Sequence, residues 1–159
     1  MNIGSKFKFQ KSIVSHSMEE TESIGEKLGQ NLMKGHVLGL LGDLGSGKTC
    51  FTRGLYKGRN SGENRTVNSP TFVVMQRYFG NLTFYHADVY RLESKLEFLD
   101  LDLFELAEDG VLIVEWADKF LEVFKEKTLI IEFIHQSEND RLINFYGNEF
   151  LRMNNFLSI

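Results

Sequence analysis

The sequence predicts an α/β protein with a mixed, mainly parallel sheet, helices between the strands and an antiparallel hairpin portion. Short apolar runs such as "HVLGLLG" and "GVLIVEW" are typical of strands that a parallel sheet buries on both faces. Amphipathic helical patterns lie between these runs. Two aromatic, β-branched runs also surround the dipeptide "GN", which is typical of a hairpin turn. These three observations set the fold class.

The first predicted elements lead from the N-terminus to a glycine-rich loop. "KFKFQKSIVS" has the alternation of a strand, and "SMEETESIGEKLGQNLMKG" predicts an amphipathic helix that Ser17 caps and Gly35 stops. The apolar face of this helix repeats every four residues, at Ile24, Leu28 and Leu32. "HVLGLLG" then predicts a buried strand, and "KTCFTRGLYKG" behind the glycine-rich loop predicts the next helix.

The second half of the chain begins with a polar, turn-rich loop, "RNSGENRTVNSP". "FVVMQRYF" and "LTFYHADVY" predict the two strands of the hairpin, and "SKLEFLDLDLFELAEDG" predicts one or two short, acidic helices. "GVLIVEW" then predicts a buried strand and "ADKFLEVFKE" a short helix. "TLIIEFIH" and "RLINFYG" predict a closing pair of strands, and the tail "FLRMNNFLSI" matches no pattern.

Length and composition limit the classes of protein. A chain of 159 residues, 42% of them apolar, predicts a single domain over residues 1–159. The apolar runs are too short for a membrane helix and "MNIGSKFKFQ" lacks the apolar segment of a signal peptide, so we expect a soluble, cytoplasmic protein. The single cysteine excludes an internal disulfide, and a net charge of -4 argues against direct binding of nucleic acid by a basic field.

The stretch "GDLGSGKT", Gly42 to Thr49, has the spacing of a phosphate-binding loop. Its glycines allow the backbone to curl so that N–H groups point at phosphate oxygens, and the following helix adds its positive dipole end. Lys48 would contact the β- and γ-phosphates, and the Thr49 hydroxyl would ligate Mg²⁺. The alternative is a glycine-rich turn with a surface lysine.

Two acidic residues follow predicted strands and are candidates for the metal site. A nucleoside triphosphate with Mg²⁺ requires a carboxylate near the metal, commonly from the carboxyl end of a neighbouring strand. Glu115 ends the apolar run "VLIVE", and Asp88 ends "TFYHAD". The alternative for either acid is a helix cap or a solvated turn.

Four further residues have both a functional and a structural interpretation. His86 could position a group beside Asp88, or it could be a structural histidine at a strand end. Arg91 could contact phosphate or a partner, or form an ordinary salt bridge. Trp116 could shape the rim of the site or only pack, and Cys50 could be activated by the helix N-terminus or be a buried small side chain.

Together, "GDLGSGKTCFTRGL", "NSPTFVVMQRY", "YHADVYRL" and "VEWAD" resemble the bacterial TsaE (YjeE) family in order and spacing. The resemblance extends from about Ser15 to Arg141. It implies a three-layer α/β P-loop NTPase-like fold that binds ATP or ADP and Mg²⁺, and a function in the threonylcarbamoyladenosine modification of tRNAs that read ANN codons. It also implies association with the TsaB and TsaD proteins, which hold the tRNA and perform the transfer chemistry.

The resemblance also assigns roles to individual residues. Thr49 and Glu115 match the Mg²⁺ site, and Asp88 matches an acid that is important for ATPase function. Thr21 and Arg141 resemble positions near the base, and "SPTF" at residues 69–72 resembles a loop beside the nucleotide. Cys50 replaces a second threonine. The phosphate-binding residues that match are Gly45, Ser46, Gly47, Lys48 and Thr49.

The sequence therefore predicts a Mg²⁺-dependent ATPase with Asp88, Lys48 and Glu115 as its catalytic residues. We expect slow turnover by the isolated protein, because no residue is an evident arginine finger. One alternative is a small-molecule kinase, which usually has an arginine-bearing lid; "RNSGENR" is a weak candidate for that lid. The other is a GTP switch, against which the chain lacks the N-K-x-D stretch that reads guanine.

Overall fold

The structure, a computed structural model, describes residues 2–63, 65–70 and 74–147. Seven strands and four α-helices form within these ranges. The strands are β1 (Phe9–Ser15), β2 (Val37–Leu41), β3 (Met75–Tyr78), β4 (Phe84–Asp88), β5 (Val111–Glu115), β6 (Leu129–His135) and β7 (Arg141–Tyr146). The helices are α1 (Met18–Gly29), α2 (Lys48–Arg59), α3 (Lys95–Asp100) and α4 (Leu103–Leu106), with 3₁₀ turns at Ile3–Ser5 and Ala117–Val123.

All seven strands belong to one sheet, in the order β1-β7-β6-β2-β5-β4-β3. The central strands β6, β2, β5 and β4 are parallel. Strand β3 pairs antiparallel with β4 at one edge, and β7 and β1 extend the other edge with antiparallel pairing. The prediction of a mixed, mainly parallel sheet with an antiparallel portion is confirmed.

Helices cover both faces of the sheet and create three layers. Strand β2 shows the division, because Leu38 and Leu40 face the core beneath α1 and α2, whereas Val37 and Leu41 face the core beneath α3 and α4. All residues of β2 and β5 are buried, as their apolar sequences predict, and so are all residues of β4, including His86 and Asp88. Within the described ranges, no helix is both long and apolar enough to cross a membrane.

Helix α1 ends six residues before the predicted stop at Gly35. Beyond Gly29 the chain tightens, since the amide of Leu32 donates to the Gly29 carbonyl rather than continuing the α-helical pattern. Gly35 has a φ of +90° and donates to the carbonyl oxygens of Ala107 (2.7 Å) and Gly110 (3.0 Å). Leu32 is still buried, so the apolar repeat continues into a turn that tertiary contacts hold.

The predicted two-residue hairpin turn is wrong. Strand β3 ends at Tyr78 and β4 begins at Phe84, so residues 79–83 form a longer connection. Helix α2 holds this connection: the Asn60 carboxamide accepts from Leu82 N (2.9 Å) and donates to Leu82 O (3.1 Å), and the Tyr56 hydroxyl donates to the Phe79 carbonyl. The loop conformation therefore depends on the neighbouring helix rather than on local turn chemistry.

The other elements follow the sequence with smaller differences. The acidic stretch forms two helices, α3 and α4, separated at Asp102, which has a φ of 48°. The segment predicted as a short helix after β5 is a 3₁₀ turn, Ala117–Val123. The start of "FVVMQRYF" and the tail "FLRMNNFLSI" lie outside the described residues.

Helices α1 and α2 approach each other through four glycines. A methyl group on Gly25 or Gly29 would clash with the backbone of α2, and one on Gly54 or Gly58 would clash with the backbone of α1. Among the described residues, three ion pairs flank the contact: Arg53–Glu22 at 3.6 Å, Lys57–Glu22 at 4.0 Å and Lys57–Glu26 at 3.0 Å. The absence of side chains here allows a backbone contact that larger residues would prevent.

We predict that Gly54→Ala destabilises the protein by about 2 kcal/mol or more, because the new methyl group would overlap the Glu22 carbonyl. Chemical denaturation measures the change in the free energy of unfolding. Gly4→Ala is the control, since its methyl group would lie 3.6 Å from the nearest atom, Asn2 Oδ1; we expect a change within about 0.5 kcal/mol. Equal stability of the two variants would contradict the proposed packing constraint.

Candidate functional site

The glycine-rich loop of residues 42–49 connects β2 to α2 at the carboxyl edge of the parallel strands. Gly42, Gly45 and Gly47 have φ values of +139°, +76° and +111°, conformations that residues with a Cβ rarely adopt. Gly47 is the N-cap of α2 and provides no side-chain hydrogen bond to the first-turn amides. The loop therefore has the curled backbone and uncapped helix N-terminus that suit an anion.

Lys48 lies inside this loop rather than at the surface. Its Nζ donates to the carbonyl oxygens of Gly42 (2.6 Å) and Asp43 (2.9 Å) and lies 4.2 Å from the centroid of the Trp116 ring. Burial lowers the pKa of Lys48, while nearby carboxylates, of which Glu115 has the largest effect, oppose that shift. The alternative of a surface lysine is wrong, because only 4% of the residue is exposed.

Glu115 connects the loop to the neighbouring strands. The Thr49 hydroxyl donates to Glu115 Oε1 at 2.9 Å, and His86 Nε2 lies 2.8 Å from the same oxygen. Glu115 and His86 are both buried, with 3% and 0% exposure. A single carboxylate oxygen therefore joins residues from α2, β4 and β5.

Asp88 lies beside Glu115 but makes different contacts. The two residues are directly paired across β4 and β5, so their carboxylates extend from the same region of the sheet edge. Asp88 Oδ1 accepts from the Tyr90 amide at 2.9 Å, and Oδ2 accepts from the Ser69 hydroxyl at 3.3 Å. Asp88 thus caps the turn after β4 and also faces the site.

Thr21 and Arg141 form a buried network behind the loop. Arg141 donates from a terminal guanidinium nitrogen to the Thr21 hydroxyl (2.8 Å) and to the Ser17 carbonyl (2.9 Å). The Thr21 hydroxyl also contacts Ser15 Oγ at 2.7 Å. A methyl group on Gly47 would lie 3.3 Å from the Arg141 side chain, so the network touches the phosphate-binding loop itself.

Three buried polar atoms lack a hydrogen-bond partner within the described part of the chain, and all three lie in or against this site. They are Ser46 Oγ, His86 Nδ1 and Arg141 Nε. Buried polar atoms normally have partners, and exceptions concentrate at binding sites. Ser46 belongs to the loop and Arg141 lies against it, so their two atoms support a ligand in the loop.

The other candidates have varied surroundings. Arg91 is exposed beside an open cavity of about 770 Å³ that Lys119 and Phe120 also line. Trp116 has a φ of 62° and packs against the Tyr90 ring, with 4.7 Å between centroids.

Cys50 is buried, and burial raises the pKa of its thiol, which opposes activation by the helix N-terminus. Its sulfur donates to the Met18 carbonyl, a packing role.

Sequence reasoning did not identify the partners of several of these residues. It suggested that His86 could position a group beside Asp88, and the His86 hydrogen bond goes to Glu115, the residue paired with Asp88 across the strands. It did not predict Ser15 as a partner of Thr21, or Ser69 as a partner of Asp88. The alternation of side chains in β4 was the sequence signal for this grouping, because His86 and Asp88 are two residues apart and so lie on the same face of the sheet.

The residues present suit Mg²⁺ with a phosphate compound. Among the described residues, no three His, Cys, Asp or Glu side chains form a metal cluster of the all-protein kind. Thr49 and Glu115 instead offer two hard oxygen atoms beside the loop. Mg²⁺ is commonly held in this way, with few protein ligands and with phosphate and water oxygens completing the shell.

The three-layer fold, the curled loop and the Thr49–Glu115 pair define a protein of the P-loop NTPase-like class. Comparison with known proteins gives the particular family. The model of the family described as threonylcarbamoyl adenosine biosynthesis protein TsaE matches residues 15–143. The chain belongs to the TsaE family, and its function lies in threonylcarbamoyladenosine biosynthesis.

Individual relatives agree with this assignment. The tRNA threonylcarbamoyladenosine biosynthesis protein TsaE of Bacillus subtilis is 41% identical over 135 residues, covering 83% of this chain and 84% of that protein. The protein of the same name from Treponema pallidum is 37% identical over 131 residues, covering 82% and 96%. The crystal structure of Bacillus subtilis YdiB superposes with a TM-score of 0.71 and 32% identity, over 89% and 86% of the two chains. The P-loop NTPase-like fold is thereby confirmed.

Proposed function

We propose that this protein hydrolyses ATP with Mg²⁺ and that the hydrolysis serves the threonylcarbamoyladenosine modification of tRNA. The observation that carries the proposal is the hydrogen bond from Thr49 of the glycine-rich loop to Glu115 at the end of β5. It joins a phosphate-binding backbone to a buried carboxylate, the two parts that nucleotide hydrolysis with Mg²⁺ requires. The family described above supports the pathway.

The phosphates bind to the loop backbone and to Lys48. The uncapped amides of the first turn of α2 and the curled segment from Gly45 to Gly47 donate to the phosphate oxygens. The Lys48 ammonium donates to two loop carbonyls, and its remaining N–H would donate to the β- and γ-phosphates. Positioned donors of this kind stabilise the charge that develops on the transferred phosphoryl group.

Thr49 and Glu115 would hold Mg²⁺, and the bound ion would neutralise phosphate charge. The Thr49 hydroxyl donates a hydrogen bond to Glu115, which leaves its oxygen lone pairs available as a ligand for the ion. Asp88 orients water near the terminal phosphate, from a position directly across the strand pair from Glu115. The catalytic roles of Lys48, Glu115 and Asp88 follow from these positions.

Thr21 and Arg141 contribute to the nucleotide site from behind the loop. Both are buried, and Arg141 is close to Gly47, so their contribution includes support of the loop as well as proximity to the nucleotide. The unpartnered Arg141 Nε and Ser46 Oγ suit an anion in the loop.

The hydrolysis acts on an assembly that contains TsaB and TsaD in the cytoplasm, and tRNA is bound through that assembly. A net charge of -4 gives this chain little electrostatic attraction for tRNA of its own. The candidate contact surfaces are the acidic, aromatic stretch from Asp88 to Phe104 and the loop of residues 59–69, of which residue 64 lies outside the described ranges. Both approach the site, as Ser69 shows by its hydrogen bond to Asp88.

We predict that the purified protein hydrolyses ATP slowly, is stimulated by TsaB and TsaD together, and is not stimulated by bare tRNA. The reason is that the chain has no evident arginine finger of its own. Phosphate release is measured for the protein alone, with the TsaB–TsaD pair, and with tRNA alone. Fast turnover in isolation, or stimulation by tRNA and not by the pair, would favour the small-molecule kinase instead.

Replacement of Lys48 tests the phosphate-binding loop. We expect Lys48→Ala to reduce turnover by roughly 10²-fold or more and to weaken ATP binding, because it removes the cation beside the phosphates. Calorimetry with ATP and Mg²⁺ measures the binding. Lys57→Ala is the matched control, since Lys57 lies on the same helix with its side chain 58% exposed, paired with Glu26. Equal affinity and turnover in the two folded variants would remove the loop from the site.

The two carboxylates are predicted to separate binding from hydrolysis. Glu115→Gln should weaken Mg²⁺-dependent nucleotide binding, because a hard cation loses a charged oxygen near it. Asp88→Asn should retain nucleotide binding and lose turnover, since the amide oxygen can still accept from the Tyr90 amide while the charge is gone. Calorimetry and phosphate release are compared for both variants. Identical losses of binding and turnover in the two variants would refute the division of roles.

A further inference from the structure

His86 is the most deeply placed titratable side chain of the site, and the roles given above do not use it. It is 0% exposed, on β4, with its Nε2 2.8 Å from Glu115 Oε1. Directly opposite His86 on β5 is Ile113, so Glu115 is two residues farther along the same face. The contact is a diagonal cross-strand pair, which exists only because β4 and β5 are adjacent and in this register.

The direction of this hydrogen bond follows from the chemistry of the two groups. An ionised carboxylate can only accept a hydrogen bond, so this contact requires the His86 tautomer that carries its proton on Nε2. The Nδ1 atom has no partner within the described ranges, although it is buried. Among the described residues, the contact with Glu115 is therefore the side-chain hydrogen bond that orients this buried ring.

Glu115 requires such a contact because another carboxylate is next to it. Asp88 pairs directly with Glu115 across the strands, and like charges in that position repel. The Tyr90 amide and the Ser69 hydroxyl donate to Asp88. The Thr49 hydroxyl and His86 Nε2 both contact one oxygen of Glu115. Each acid therefore has its own set of hydrogen-bond partners.

We propose that His86 is a positioning residue for Mg²⁺ binding: it donates from Nε2 to Glu115 and holds that carboxylate against the Thr49 hydroxyl. The inference rests on the proposed Mg²⁺-dependent function of the same site. His86 does not itself contact metal or nucleotide. Groups that orient a metal ligand commonly change metal affinity by about 10–100-fold when they are removed.

Two variants of similar size separate the donor from the ring. The amide nitrogen of His86→Gln reaches the place of Nε2 and can donate to Glu115, whereas the shorter side chain of His86→Asn ends near the place of Nδ1. The dissociation constant of ADP is measured by calorimetry over a Mg²⁺ titration and again in EDTA. We expect His86→Asn to need about 10-fold more Mg²⁺ for half-maximal enhancement. We expect His86→Gln to match the wild type, and all three proteins to bind ADP equally in EDTA.

The outcomes distinguish this inference from the proposed function. A wild-type protein whose ADP affinity ignores Mg²⁺ would overturn the proposed function and this inference with it. If the wild type responds to Mg²⁺, then an unchanged His86→Asn, a failure of His86→Gln to match the wild type, or equal losses in EDTA would overturn this inference alone.

A measurement on the wild type covers the case in which the asparagine variant does not fold. Nitrogen-15 spectra of the histidine rings identify which nitrogen carries a proton, and loss of one signal set in His86→Gln assigns His86. A proton on Nε2 supports the inference. A bare Nε2 would overturn it, because such a nitrogen cannot donate to Glu115.

Discussion

The close backbone contact between α1 and α2 is the constraint on which the arrangement of the site depends. Four glycines allow the two helices to touch where side chains would separate them. Because α2 begins at the phosphate-binding loop, this contact brings the start of α1, with Thr21, next to the same loop. Thr21 in turn binds Arg141 at the start of β7. Strand β7 and helix α1 are thereby connected to the phosphate-binding loop.

Interior glycines weaken isolated helices by about 0.5–1 kcal/mol each relative to alanine. Their presence at the contact therefore indicates that helix packing outweighs helix propensity here. The same principle applies to the loop, where Gly42 and Gly47 combine positive φ with close neighbours. These glycines lose more conformational entropy on folding than other residues would, but their backbone adopts conformations and close contacts that a Cβ would prevent.

The second feature of the site is its balance of charge. Lys48 lies among four carboxylates, those of Glu115, Asp118, Asp88 and Asp43, and its burial lowers its pKa against their influence. Asp88 and Glu115 are paired across the strands in a buried position, where like charges repel, and each has its own hydrogen-bond donors. A compound with several negative oxygens then requires a cation in the same space, which is consistent with the proposed use of Mg²⁺.

The sequence by itself determined the order of the elements, the parallel centre of the sheet and the phosphate-binding loop. These depend on local patterns: apolar runs, caps and glycine spacing within "GDLGSGKT". The resemblance to TsaE motifs then indicated the family, which the family model confirms. The predicted end of α1 and the predicted turn after β3 were wrong. Tertiary contacts override local preference at both places: Gly35 binds Gly110 after α1, and Asn60 binds Leu82 after β3.

Only the tertiary structure decided which side chains meet. The hydrogen bonds His86–Glu115 and Thr21–Arg141 join residues that are 29 and 120 positions apart. Their formation depends on strand order and register, and a shift of one residue would turn His86 to the opposite face of the sheet. The periodicity of one strand cannot predict these contacts, since it indicates which side chains share a face but not which strand is adjacent or in what register.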